Sequence, residues 1–372
     1  MSYILKKLLS RKKMSFKLRA KNLLFYLSRK KWAKKSWKNR HKKVFERNKE
    51  YKQPLMENIE LEHKKIWSLF GRSVDPDTLR ICGNISGNSD PRIVPEDIFV
   101  SDIEPTLNIN PLVNFLSHKS FYNRWYPKGI FPADILHNIE GKYLDADLSE
   151  INFETIKEKC GQIKYPVVFK PNSGSYGGDG IRFIENSEQL IRYAQDSVNF
   201  VVQEQIKQHN FFTKYNTYGL NTFRVNLYRS VTDNKLHIIN ISFRMGVGGS
   251  LDNETAGGIH TYIDENGKMN GYAVDKYASK FTEHPDSGLT FDEAIPDFNG
   301  LKKLCLKVGN QVFLARIIGL DACYDENGKW RIIEINTEGS TIRFSQYGGR
   351  PFFGKFTAEV IDYCKIKHWT IE

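Results

Sequence analysis

"IIGLDACYDENGKWRIIEINTEGS", residues 317 to 340, sets two apolar runs either side of Asn327-Gly328. Asn-Gly between two such runs predicts a β-hairpin closed by a two-residue type I′ turn, because both central positions need positive φ. That turn would set Glu326 opposite Lys329, and counting back sets Asp321 opposite Glu334. Direct cross-strand neighbours on one face have Cβ atoms about 5 Å apart, and Asn336, two residues beyond Glu334, shares that face. Two carboxylates side by side on an otherwise apolar hairpin repel each other and are costly to bury unless a cation lies between them. Asp321, Glu334 and the Asn336 carbonyl are the hard oxygen donors that Mg²⁺ accepts while leaving positions for phosphate oxygens. The alternative is a surface acid near a turn and a charge on an edge strand.

A second hairpin lies upstream in "KYPVVFKPNSGSYGGDGIRFI", residues 164 to 184. Its flanks read as strands, so the loop closes a hairpin. A dinucleotide fingerprint or a Walker loop needs a following helix, and a Walker loop also needs Gly-Lys-Ser/Thr; this loop offers neither. A glycine flap whose backbone N–H groups cradle phosphates, with Lys170 as a point charge beside an acid hairpin for Mg²⁺, is what a nucleoside triphosphate needs. The flap residues are Ser173, Ser175, Tyr176, Gly177 and Gly178.

From residue 151 onward strand-like and helix-like pieces alternate. Strands are expected at 165–170, 181–184, 200–205, 222–229, 236–244, 317–324 and 330–336, with one more near 130–136. Helices are expected at 113–126, 187–197, 298–315 and 354–366. Hairpins joined by short turns predict antiparallel sheets flanked by helices, an α+β arrangement with the ligand between sheets. The chain divides into an arm (1–50), a segment of modest pattern (51–125) and two sheet-containing parts (126–206 and 207–372).

The net charge of +12 belongs to the arm. Residues 1–50 hold 19 Lys/Arg against Glu46 and Glu50, or +17; the rest holds 36 basic and 41 acidic residues, or −5. Within the arm Ile4, Leu5, Leu8 and Leu9, then Leu23, Leu24 and Leu27, recur at helical spacing, with Phe16, Phe25, Tyr26, Trp32 and Trp37 among the lysines. Such a stretch suits an anionic membrane surface, where apolar burial and charge attraction add; it reads equally as a solvated, partly disordered tail. Nucleic acid is the lesser reading. No apolar run reaches membrane-spanning length. The five cysteines are scattered with no C-x-x-C pair, which suits a reducing cytosol. His209, His237, His260 and His284 have no serine or cysteine at recognisable spacing, and read as packed or surface residues.

The ordered motifs "VVFKP" (167–171), "SGSYGGDG" (173–180), "VVQEQI" (201–206), "FRVN" (223–226) and "GLD…EIN" (319–336) resemble the ATP-grasp superfamily over about residues 111–345. "FRMGVGGSLDNETAGGIHTYID" (243–264), "HPDSG" (284–288) and "IPDF" (295–298) are similar to its sugar-transfer-associated branch, found with polysaccharide biosynthesis genes. The resemblance implies an ATP-grasp fold, ATP and Mg²⁺ as cofactors, and a ligase that activates a carboxylate as acyl phosphate and joins it to an amine. A sugar or lipid-linked glycan is the implied target, on the cytoplasmic side. It implies a first nucleotide lysine at Lys119, although His118 stands where an acid is common. Glu204, Gln205 and Ile206 would meet adenine. Arg224 and Arg244 would face the γ-phosphate or an acyl phosphate, the alternative for each being a salt bridge on an exposed sheet face. Asp252, Asn253, Gly257 and Gly258 would lie near the acceptor. A kinase acting on a sugar or small-molecule hydroxyl is the second enzyme reading, and a nucleic-acid-binding protein with a vestigial nucleotide site is the third.

Overall fold

The computed structural model describes residues 3–11, 14–71, 73–174, 178–250, 252 and 257–372. Two antiparallel sheets organise it, as the α+β expectation required. The smaller has five strands, β1 (Asp134–Ile139), β2 (Lys142–Asp145), β3 (Val167–Pro171), β4 (Arg182–Ile184) and β5 (Phe200–Glu204), in the order β2-β1-β5-β3-β4. The larger has seven: β6 (Thr222–Arg229), β7 (Leu236–Met245), β8 (Ile259–Ile263), β9 (Ala273–Val274), β10 (Lys280–Phe281), β11 (Ile317–Tyr324) and β12 (Trp330–Asn336), in the order β10-β9-β8-β7-β6-β11-β12.

Strand alternation decides which side chains each sheet gives to its core and which to the cleft. In the smaller sheet Val167, Phe169, Phe200 and Val202 pack with Ile156, Cys160, Leu190 and Ala194 of helices Phe153–Gln162 and Ser187–Asp196. Val168, Lys170 and Gln203 therefore turn the other way. In the larger sheet Phe223, Val225, Leu227, Ile318, Leu320 and Ala322 pack with Leu301, Cys305 and Val308 of helix Phe298–Asn310. That helix approaches closely because position 309 is glycine; a Cβ there would run into Leu227 and Leu236. Arg224, Asp321 and Glu334 are left facing the cleft.

Several expectations change. The hairpin at 325–329 is not a type I′ turn. Of its two central residues only Gly328 has positive φ (69°), the Gly328 N–H donates to the Asp325 carbonyl at 3.0 Å, and the Asp325 N–H donates to the Lys329 carbonyl at 2.9 Å. The Asp325 carboxylate accepts from the Asn327 and Lys329 N–H groups at 3.0 and 2.9 Å, which stabilises a longer loop with one left-handed glycine. The pairs near the turn are consequently one residue out of the expected register, Tyr324↔Trp330 and Ala322↔Ile332. A bulge between Asp321 and Ala322 then restores Asp321↔Glu334. The expected pair forms, through a different device.

Residues 113–126 are broken 3₁₀ and α turns rather than one helix, the strand expected at 130–136 begins at Asp134, and the helix from 298 ends at Asn310. Residues 51–110 hold helices Glu57–Trp67 and Asp77–Ser86 and the short turns Glu96–Leu107. The arm is folded as well: α1 (Tyr3–Ser10) and α2 (Phe16–Arg47) lie against the body. Ile4 and Leu8 are fully buried, Leu8 beside Ile371, while Tyr26, Ala33, His41 and Val44 bury the inner face of α2. The Tyr26 hydroxyl donates to Asp102 Oδ1 at 2.6 Å, and the Arg29 guanidinium donates to the Val100 carbonyl at 3.0 and 2.8 Å. Burial of such side chains contributes about 1.5–3 kcal/mol each, so the tail reading is replaced by a docked helix. Among the described residues no helix is long and apolar enough to cross a membrane.

Candidate active site between the two sheets

A cleft of about 790 Å³ lies between the sheets, within the range of small-molecule sites. One row of its floor crosses four strands. Glu334 on β12 pairs with Asp321 on β11, Asp321 with Arg224 on β6, and Arg224 with Ser242 on β7. One step along, Thr222, Arg244 and His260 form a second row across β6, β7 and β8.

Asp321 is the electrostatic hub. Arg224 holds it through two nearly parallel bonds, Nε to Oδ1 at 2.6 Å and Nη2 to Oδ2 at 3.1 Å, and Arg244 Nη2 lies 3.4 Å from Oδ2. Asn336 Nδ2 adds a long contact at 3.4 Å. Burial pushes the Asp321 carboxyl up, but the two arginines and these hydrogen bonds outweigh it and bring it down to about 2. Arg244 also donates to Thr222 Oγ1 at 2.9 and 2.6 Å and lies 3.6 Å from Asp252 Oδ2, which Thr222 Oγ1 contacts as well. Burial raises the Asp252 carboxyl despite Arg244. Neither arginine is thus a salt bridge on an exposed sheet face; both are cleft residues.

Lys119 comes from the turn Lys119–Phe121, and its Nζ lies 2.7 Å from Glu334 Oε1. Its backbone N–H donates to the Asn172 carbonyl at 2.9 Å, tying it to the start of the flap. The protein's own cations therefore answer the expected carboxylate repulsion: Arg224 and Arg244 neutralise Asp321, and Lys119 neutralises Glu334. Asp321 Oδ1 accepts from Arg224 Nε and Glu334 Oε1 pairs with Lys119, so each of these oxygens has a second lone pair, and together with the Asn336 amide oxygen they still fit a hard dication. Among the described residues no group of three or more His, Cys, Asp or Glu side chains is placed to hold a metal, so the amide donor is needed to complete the set.

From the opposite sheet Lys170 enters the same cleft, 6% exposed, with Nζ donating to Gln203 Oε1 at 3.1 Å. Gln203 Nε2 in turn donates to Asp134 Oδ1 at 2.9 Å. Burial first, then the neighbouring Lys119, lowers the Lys170 ammonium to about 8. Ser173, Gly174 and Gly178 line the cleft above it, and Gly174 and Gly178 have φ of 73° and 80°, a conformation glycine adopts without strain. Ser175, Tyr176, Gly177 and Asn253 lie outside the described residues.

Val168, Ile181, Phe183, Ile206 and Ile333 are among the apolar residues that line the cleft, with Val168 paired to Phe183 across β3 and β4, and Glu204 and Gln205 line it as well. Glu204 is partly committed, since its Oε1 accepts from Arg331 Nη2 at 2.7 Å and from the Ala133 N–H at 2.9 Å. Gly257 and Gly258 do not line the cleft. Gly258 is instead a packing point, where a Cβ would meet the Asp252 carbonyl at 2.6 Å and that of Met245 at 2.9 Å.

His260 is the cleft residue that sequence reasoning set aside. It is 5% exposed, stacks on Phe344 with ring centroids 3.7 Å apart and 4° between planes, and neither ring nitrogen has a hydrogen-bond partner. Burial, then Arg244, Arg343 and Arg224, keep it well below the usual histidine range, so it is neutral. No spacing rule could find it, because its neighbours Phe344 and Arg244 come from other elements.

Residues 190–356 match the family described as sugar-transfer associated ATP-grasp. The matched residues, less than half of the chain, resemble that ATP-grasp family. Solved structures similar to this chain include the ATP-grasp ligase PsnB complexed with a phosphomimetic variant of its minimal precursor, Mg and ADP, at 14% identity and a TM-score of 0.40, covering 68% of this chain and 61% of that one. An L-amino acid ligase from Bacillus licheniformis has 11% identity and a TM-score of 0.38, covering 66% and 48%. A biotin carboxylase–β,γ-ATP complex from Campylobacter jejuni has 14% identity and a TM-score of 0.40, covering 68% and 46%. The chain thus spans less than two thirds of the length of each. No curated protein matches it.

Proposed function

We propose that this ATP-grasp chain is a Mg²⁺-dependent ligase that activates a carboxylate at the expense of ATP and joins it to an amine. The observation that carries this reading is the convergence, in one cleft, of Lys119 and Lys170, the Asp321–Glu334–Asn336 donors, and Arg224 and Arg244. Val168, Phe183, Ile206 and Ile333 would hold adenine, and Lys170 and Lys119 would meet the triphosphate. Asp321, Glu334 and Asn336 would hold Mg²⁺, which supplies charge neutralisation at the phosphate oxygens.

Chemically, a carboxylate oxygen attacks the γ-phosphorus and ADP leaves; the amine nitrogen then attacks the acyl carbon, phosphate leaves, and the amine gives up a proton. The chain's residues position and neutralise rather than react. Arg224 uses Nε and one Nη on Asp321, and its remaining N–H donors can meet an oxyanion. The family's description supports a sugar as one partner, either a uronic acid or an amino sugar carried on a nucleotide or lipid, in a capsule or other surface polysaccharide. The ATP requirement and five buried free cysteines suit the cytoplasmic side.

Incubation with ATP, Mg²⁺, a panel of uronic and amino acids, and hydroxylamine tests the reaction class. The expected products are ADP and a hydroxamate with one panel acid. ADP with a sugar phosphate and no hydroxamate would establish the kinase reading instead, and AMP would contradict both.

A further inference from the structure

The packing of α2 leaves an outer face that the body does not use. At about 100° per residue, Tyr26, Ala33, His41 and Val44 fall within one inward arc of about 80°. Leu24 lies opposite that arc, 69% exposed, with Leu27 (45%) on one flank and Trp32 (60%) on the other. Phe25 is 59% exposed although it packs edge-to-face with Trp369, ring centroids 5.6 Å apart. The helix carries 13 Lys/Arg and one acid, Glu46. Arg29 and Lys30 reach inward to Val100 and Tyr26, while Lys17, Lys21, Lys31 and Lys35 stand exposed around Leu24 and Trp32. Thirty-two residues of helix run about 48 Å, long enough to lie along a surface.

The geometry points to this outer face of α2 as a docking surface for an anionic lipid bilayer. Large apolar side chains enter the acyl boundary while flanking lysines meet headgroup phosphates, and the two contributions add. Charge complementarity selects this occupant. A second copy seated face to face would set lysine against lysine. Nucleic acid would satisfy the lysines but give nothing for burying leucines alongside them. The inference is independent of the reaction proposed above. It also differs from a free amphipathic tail, because Ile4 and Leu8 are already used in the core and Tyr26, Ala33, His41 and Val44 hold α2 with its outer side outward.

Truncating the arm would expose that core, so point substitutions on the full chain are the test. The intact protein is sedimented with vesicles of phosphatidylcholine alone or of phosphatidylcholine and phosphatidylglycerol at 7:3. Binding to the anionic vesicles is expected to be tenfold or more the stronger. The triple variant Leu24→Asp, Leu27→Asp, Trp32→Asp should lose tenfold or more of it. Brominated acyl chains should quench tryptophan fluorescence in the wild type, and Trp32→Phe should keep binding while losing most of that quenching. Equal binding of both vesicle types, unchanged binding of the triple variant, or retention on RNA in preference to anionic vesicles would each overturn the inference.

Discussion

Lys170→Met is expected to lower ATP-dependent turnover by about 100-fold or more, the loss typical when a preorganised donor to a developing anion is removed, and to leave the fold intact. Lys170 is buried in the cleft wall and burial holds its ammonium down to about 8, so in the empty protein its charge opposes folding. The sign follows from linkage: a base with a folded pKa below its unfolded value penalises stability fully below pH 8, and the penalty fades as pH rises toward about 10.4. The methionine variant removes that penalty but leaves the Gln203 amide oxygen without its donor, so its Tm should equal or exceed that of the wild type while turnover collapses. An unchanged turnover would remove Lys170 from the site. The same depressed ammonium predicts proton uptake when ATP binds above pH 8, because the triphosphate restores the charged form. Calorimetric titration in two buffers of different ionisation enthalpy reads this directly; equal apparent enthalpies at pH 8.5 would contradict it.

Asp321→Ala is expected to have the largest effect on stability, about 3–5 kcal/mol, since removing one partner strands Arg224 as an uncompensated charge away from water and leaves Arg244 with Asp252 alone. The double variant Asp321→Leu, Arg224→Met should recover part of that loss, and a double-mutant cycle measures the coupling. Acid unfolding has the same origin. Asp321 is held down to about 2, so its stabilising contribution is present above the unfolded value of about 3.9 and is lost as pH falls through 2. Glu334→Gln makes a useful contrast, because Glu334 faces Lys119 and leaves the Arg224–Asp321 pair alone. It should reduce turnover strongly with a smaller stability cost. Equal destabilisation by the two substitutions would contradict the assignment of Asp321 as hub.

What the sequence disclosed follows the range of the interactions that decide each feature. Strands β6, β11 and β12 were legible to the residue, because alternating β-branched and aromatic side chains with glycine punctuation are local signals. The Asp321–Glu334 pairing was legible too, yet its reason was not: the Asp325 carboxylate lengthens the turn and a bulge corrects the register, and neither leaves a trace in an alternation pattern. Charge compensation of Asp321 by Arg224 and Arg244 depends on strands 77 to 97 residues away in sequence, so repulsion between the carboxylates was expected where cations already sit. The pairing of Glu204 with Arg331 was not legible, because nothing local announces Arg331. His260 stayed hidden for the same reason, since its neighbours Phe344 and Arg244 come from other elements. The helical spacing of the arm was visible, but whether Ile4 and Leu8 met lipid or Ile371 depended on the far end of the chain.

The central claim is that one cleft holds a nucleoside triphosphate and its metal between the glycine flap and the β11–β12 hairpin. A crystal structure with a non-hydrolysable ATP analogue and Mn²⁺ in place of Mg²⁺ tests it most directly. The anomalous signal should lie about 2.0–2.2 Å from oxygens of both Asp321 and Glu334, with Lys119 and Lys170 on the phosphates. Nucleotide bound elsewhere, or metal density remote from both carboxylates, would contradict the claim.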